Sequence, residues 1–258
     1  MRVVPVPVLS DNYAYLLIND QKEACAVDPA DAAKVLEAAQ QEGVTITKVL
    51  TTHKHSDHAG GNDQMAQLVP GVEIVGGALD SVAACTAPVN HGDTVAFTGM
   101  TIKCIHTPGH TVGHICYHVT ERGQGDEGCV FTGDVLFVGG AGKFFEGTSA
   151  DMELSLYMRL ACLPPRTRVW CGHEYTLSNY EFALAVDAGN AELAAAAAEA
   201  QRQRRDGAPT VPSTIGRELA TNPFMRAHTA AVRAAVGAGR GDGVAATLQR
   251  VRDAKDRF

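Results

Sequence analysis

The chain has 258 residues, of which 45% are hydrophobic and 20% charged, with a net charge of -7. That composition is ordinary for a globular protein of one large domain or a domain with an appendage, and without a Lys/Arg block it argues against a general nucleic-acid binder. No apolar run reaches membrane-spanning length, and the N-terminal stretch 1–8 lacks the apolar centre and cleavage pattern of a signal peptide.

Up to about residue 172, short β-rich runs alternate with glycine, proline and asparagine punctuation. Strands are expected at 13–19, 24–27, 48–52, 73–75, 94–97, 101–106, 114–119, 129–132 and 168–171. Helices are expected at 31–42, 61–68 and 149–160, the last opened by Ser149 and Asp151. Two groups of strands with helices between them imply two sheets packed face to face and covered by helices, an α+β four-layer αββα sandwich. Beyond residue 174 the runs 175–188 and 190–205 favour helix, 209–212 breaks it, and 229–236 and 243–255 resume it. The chain therefore divides into an αββα domain, 1–173, and an α-helical C-terminal domain, 174–258.

The segment Thr51-Thr52-His53-Lys54-His55-Ser56-Asp57-His58-Ala59-Gly60-Gly61 packs four potential metal ligands into six positions. Extended chain throws alternate side chains the same way, so His53 and His55 converge on one ion, and the turn that follows aims Asp57 and His58 at a second. Neutral imidazole and carboxylate suit zinc, iron or manganese. Three more candidates follow predicted strands. His110 lies in the tight turn of Thr107-Pro108-Gly109-His110-Thr111, Asp134 is a lone carboxylate amid apolar residues, and His173 comes after Trp170-Cys171-Gly172. Together these make seven ligands, enough for two divalent ions sharing one carboxylate. His91, His106, His118 and His228 need no more than a structural role, and His114 is placed to support a ligand by hydrogen bonding.

The seven cysteines are scattered, odd in number and without a C-x-x-C pair, which fits a reducing, cytoplasmic setting. Most lie in apolar runs as inert thiols; Cys171 stands out by its place just before His173.

The set T-H-x-H-x-D-H, T-P-G-H-T, F-T-G-D and C-G-H-E-Y-T, in this order, resembles the metallo-β-lactamase superfamily. Within it the chain resembles the glyoxalase II (hydroxyacylglutathione hydrolase) family over its full length, through Leu9-Ser10-Asp11-Asn12-Tyr13, Val27-Asp28-Pro29, Gly142-Lys143-Phe144-Phe145-Glu146-Gly147-Thr148, Asn222-Pro223-Phe224-Met225-Arg226 and the terminal run 251–258. The resemblance implies His53, His55 and His110 on a first metal, Asp57, His58 and His173 on a second, and Asp134 bridging. It also implies that Lys143, Tyr175, Asn179, Arg252 and Lys255 hold the glutathione portion. Phe145 departs from the tyrosine many members carry, so one hydroxyl contact to glutathione is missing or supplied elsewhere. Ser56 replaces a frequent aromatic residue that is not a ligand, and Cys171 is not a ligand in this family.

Two ions, zinc first and iron or manganese next, lower the pKa of a shared water toward about 7; Asp57 and Asp134 orient that hydroxide against the thioester carbonyl. A thiol of pKa about 8.5 departs without a general acid. The implied reaction takes S-D-lactoylglutathione and related 2-hydroxyacylglutathiones to the hydroxy acid and glutathione, the second step of methylglyoxal detoxification, in a monomer without nucleic-acid or membrane partners. The nearest rival of the same fold, a mononuclear iron persulfide dioxygenase, uses only His53, His110 and Asp134. The further set His55, Asp57, His58 and His173, with the helical final third, favours two metals and hydrolysis. A lactonase or β-lactamase has no need of Arg252 and Lys255, and the complete ligand set with the acidic balance disfavours a noncatalytic metal-binding or nucleic-acid-processing module.

Overall fold

The computed structural model describes residues 1–121 and 127–258. The first sheet runs in chain order: β1 (Arg2–Val8), β2 (Asn12–Ile18), β3 (Glu23–Val27), β4 (Thr45–Leu50), β5 (Glu73–Gly77) and β6 (Ala87–Val89). The second holds β7 (Thr94–Phe97), β8 (Met100–His106), β9 (Ile115–Glu121) and β10 (Cys129–Gly133). Past the small hairpin of β11 (Leu136–Phe137) and β12 (Gly140–Ala141), it is completed by β13 (Arg168–Cys171) and β14 (Ser213–Thr214), in the order β14-β13-β10-β9-β8-β7. Helices α1 (Ala32–Glu42), α2 (Ser56–Ala59) and α3 (Asn62–Leu68) interrupt the first sheet. Helix α4 (Ser149–Glu153), capped by Thr148 and Asp151, runs on as a π-helical stretch over Leu154–Leu160. The final third contributes α5 (Thr176–Val186), α6 (Ala191–Arg205), α7 (Ile215–Thr221), α8 (Ala230–Ala235) and α9 (Val244–Arg257).

Each interface between layers has its own apolar cluster. On β2, Tyr13, Tyr15 and Leu17 face the second sheet, whereas Ala14, Leu16 and Ile18 face α1 and α3; β3 divides likewise into Cys25 and Val27 against Ala24 and Ala26. From the second sheet Ile102, Tyr117, Val119 and Phe131 join the central cluster, while Cys116, Val130 and Val169 turn outward onto α4, α7 and α9. Strands β2, β3 and β10, covered on both faces, read as near-continuous buried runs, whereas β7 and β8 toward the open edge of the second sheet alternate.

Several elements differ from the sequence reading. β4 ends at Leu50, two residues short of the expected 52, so an irregular, bent segment past the strand end carries His53 and His55. β1 forms despite Pro5 and Pro7 because it is an edge strand, and two prolines of the same parity leave their missing N–H groups on the outer side. The three-residue β6 and two-residue β14 fall below the length at which periodicity is readable, and α7 is not expected from the sequence.

The final third is joined to the sandwich at many points. β14 adds to the edge of the second sheet, and Ile215, Phe224, Leu248 and Val251 share a cluster with Val130 and Val169. Its polar side chains also grip four consecutive backbone groups of the β11–β12 hairpin. Val138 O accepts from Asn179 Nδ2 (3.1 Å), Gly139 N–H donates to Glu218 (2.9 Å), Gly140 O accepts from Asn222 Nδ2 (2.9 Å), and Ala141 O accepts from Arg252 Nη1 (3.0 Å).

Candidate active site

β4, β8, β10 and β13 deliver the predicted ligands at their C-terminal ends, the usual place for a site in a sheet with parallel strands. In the first group, His53 Nε2 and His110 Nε2 each lie 3.0 Å from His55 Nδ1. In the second, His173 Nε2 is 3.3 Å from both His58 Nε2 and Asp57 Oδ2. Asp134 stands between them, with Oδ1 3.2 Å from His58 Nε2 and Oδ2 3.5 Å from His110 Nε2 and 3.4 Å from His173 Nε2. The seven candidates thus meet in one cluster.

Outer partners fix which ring nitrogens face inward. His58 Nδ1–H donates to Asp28 (2.9 Å), His110 Nδ1–H to Lys143 O (3.0 Å) and His173 Nδ1–H to Asp11 (2.8 Å). The Thr52 hydroxyl donates to Asp28 (2.7 Å) and so accepts from His53 Nδ1–H (3.1 Å). Four imidazoles are left with their Nε2 atoms turned into the cluster, an arrangement a cation accounts for. Burial presses His53 and His110 below the usual imidazole range, keeping them in the neutral, ligating form. For His173 burial acts downward too, but the carboxylates of Asp134, Asp57 and Asp11 outweigh it and carry the ring up to about 10. Burial works to raise Asp134, yet His58 and His173 hold it well below the carboxylate range.

The residues fit a metal pair. Asp134 Oδ1 is buried without a hydrogen-bond partner, and the nitrogen spacings approach the roughly 3.3 Å that a tetrahedral ion with bonds of about 2.0–2.1 Å sets between neighbouring ligands. Space is reserved as well: a Cβ at Gly172 would lie 2.5 Å from Asp134 Oδ1 and 2.6 Å from His58 Cε1.

Several supporting residues were not singled out from the sequence. Asp28, buried and held at φ 48°, serves both groups, accepting from His58 and from the Thr52 N–H and hydroxyl. The same argument that singles out Asp134, a carboxylate directly after an apolar strand, applies to it. Asn12 Nδ2 donates to Asp57 (3.0 Å), and Asp80 accepts from Lys54 N–H and Gly113 N–H; His114, singled out from the sequence as a support, accepts from Asp134 N–H at Nε2 (3.4 Å). The buried Cys171 thiol is pushed up to about 12 by desolvation and points to the His173 carbonyl, away from the ligand set.

A cavity of about 360 Å³ opens beside the cluster, lined by His110 and Asp134 together with Lys143, Phe145, Tyr175, Asn179, Arg252 and Lys255. Every residue tied to substrate by resemblance therefore borders the same space, in different states. Lys143 is exposed, and Phe145 is exposed with its ring 5.2 Å from that of His110. Tyr175 stacks on His173 at 4.6 Å and 9°. Asn179 is committed to the Val138 carbonyl, and Lys255 Nζ donates to Ser178 O (2.8 Å). Arg252 is only 7% exposed and already holds Ala141 O, but its Nε is unpartnered.

Comparison with known proteins gives a consistent picture. Residues 13–207 match the metallo-β-lactamase superfamily, and residues 174–258 match the family described as hydroxyacylglutathione hydrolase C-terminus. The chain is 45% identical over 260 residues to the cytoplasmic hydroxyacylglutathione hydrolase of Arabidopsis thaliana, covering 100% of this chain and 99% of that one. It is 44% identical to a hydroxyacylglutathione hydrolase of Synechococcus, with 100% of each covered. Among solved structures, ETHE1 from Myxococcus xanthus superposes with a TM-score of 0.69 at 23% identity, over 98% of this chain and 91% of the other. That likeness is one of fold. No helix among the described residues is long and apolar enough to cross a membrane.

Proposed function

Because the chain belongs to the hydroxyacylglutathione hydrolase family of thioester hydrolases, within the metallo-β-lactamase superfamily, we propose that it hydrolyses 2-hydroxyacylglutathiones, S-D-lactoylglutathione among them, to the hydroxy acid and glutathione. The observation that carries this reading is the single cavity bordered by ligand candidates on one side and by Lys143, Arg252 and Lys255 on the other. An uncharged thioester centre fits the first wall and an anionic tripeptide the second.

In this reading His53, His55 and His110 hold one divalent ion, Asp57, His58 and His173 a second, and Asp134 both. Zinc is the first choice, with iron or manganese acceptable to the same donors. Bound there, the ions supply Lewis acidity toward the carbonyl and a water deprotonated near neutral pH. Asp57 and Asp134 orient the attacking water. Asp28 and Asp11 keep the rings of His58 and His173 turned, and Phe145 lies beside His55 and His110 at the cavity. The sulfur leaves as a thiolate of pKa about 8.5 and needs no proton from the protein. Lys143 and Arg252 receive the carboxylates of the tripeptide by charge-assisted hydrogen bonds. All these groups come from one chain, so a monomer suffices, and free cysteines together with the cytoplasmic plant relative support a cytoplasmic setting.

The test is turnover of S-D-lactoylglutathione with elemental analysis of the same sample. Thiol release with close to two metals per chain is the expected outcome; full activity with one metal, or oxygen uptake on glutathione persulfide in place of hydrolysis, overturns it.

A further inference from the structure

The last turn of α9 carries a carboxylate that the hydrolysis does not use. Asp256 Oδ1 lies 2.7 Å from Arg252 Nη2 and 3.8 Å from Lys143 Nζ. One oxygen therefore faces two cations from two separate segments, Lys143 from the stretch after β12 and Arg252 from α9. Lys255, the third cation, takes no part: its ammonium is committed to Ser178 O and lies over the rings of Phe182 and Phe258.

We propose that Asp256 is an internal stand-in for a substrate carboxylate, holding Lys143 in the empty cleft, yielding it to the tripeptide and taking it back as product leaves. The inference rests on the reading of the cleft given above. The two contacts are unequal in the way this needs. The Arg252 guanidinium is nearly buried and its link to Asp256 spans one helical turn, so that contact persists. Lys143 is exposed, and its contact is long; an ion pair of this kind contributes only about 0–1 kcal/mol. A substrate carboxylate entering beside Lys143 meets a cation that is pre-positioned yet cheaply released. The negative charge left on Asp256 then repels the bound anion. Affinity falls for substrate and product alike, which favours release of glutathione, the product that keeps both carboxylates.

Asp256→Asn tests this, because an amide still offers Arg252 an acceptor while the charge is gone. KM for S-D-lactoylglutathione and the inhibition constant of glutathione should fall together, by up to about five-fold, the range of one exposed ion pair. Their dependence on salt should steepen. The gain should vanish for an N-acetylcysteamine thioester, which has no carboxylate. Damage to the fold does not tighten binding, so a lowered KM has no structural explanation, and an unchanged or raised KM overturns the proposal. Lys143→Met separates this from the reading beneath it. If that variant raises KM while Asp256→Asn does not lower it, only the stand-in fails. If neither variant moves KM, the cleft does not seat the tripeptide, and both fall.

Discussion

The metal cluster and the cleft beside it are built in opposite ways. In the cluster, candidate ligands come from four loops and their outer ring nitrogens have fixed partners: Asp28 on His58 and, through Thr52, on His53, Asp11 on His173, and Lys143 O on His110. In the cleft, exposed Lys143 and Phe145 face Asn179, Arg252 and Lys255, whose polar groups already bind backbone carbonyls of the protein. Charge divides along the same line: residues 1–173 hold 11 Lys/Arg against 19 Asp/Glu, and residues 174–258 hold 11 against 10. The acidic part suits cations and the balanced part an anionic ligand, so a site for a metal pair and an anionic substrate draws on both.

Changes in the cluster should therefore act on metal and chemistry, and changes in the cleft on binding. The largest effect is expected for Asp134→Ala, which removes the side chain standing between the two groups; metal content and turnover should collapse together, beyond the ~10–100-fold typical of losing an outer partner. His118→Ala, remote from the cluster, should stay near wild type, and equal losses in both would erase the distinction. Asp28→Asn comes next. Its amide opposes donors from Thr52 or His58, so affinity for both ions should drop by about 10–100-fold in a competitive chelator titration, with activity recovered in excess metal. Full retention of both ions would mean that Asp28 supports the fold alone.

Smaller effects belong to the cleft and its supports. Phe145→Tyr should lower KM by about 0.5–1.5 kcal/mol, one hydrogen bond, with kcat little changed; an unchanged or raised KM would show that the hydroxyl contact is absent from this protein's binding mode. Glu218 is buried, and desolvation raises its pKa, although Ser213, Gly139 N–H and Asn222 bond to it. Since the folded value exceeds the unfolded one, the folded state binds the extra proton. Stability is fully present below the unfolded pKa and declines as pH rises through the folded one. Glu218→Gln, whose amide can donate to Ser213 while its oxygen keeps the other two donors, should flatten that slope in melting temperatures measured across mildly acidic pH. Glu218→Ala should cost about 1–3 kcal/mol by leaving those donors unpaired, and a Gln variant as unstable as Ala would refute this account.

The sequence by itself determined the layered fold and marked the candidate ligands, because both are local signals. Apolar runs punctuated by turns mark strands covered on both faces, and ligands announce themselves as His and Asp just past those runs, as at His53 to His58, His110, Asp134 and His173. Tertiary structure alone decided what stands behind and beside them. Asp28 joins His58 and Thr52 across 30 and 24 residues, and Asp11 reaches His173 across 162. Asn179, Glu218, Asn222 and Arg252 grip four neighbouring residues of a hairpin that precedes all of them by about 40 to 110 positions. A hydrogen bond depends on distance and angle in space, and two residues far apart in the chain carry no mark of having one until the sheets and helices between them are packed.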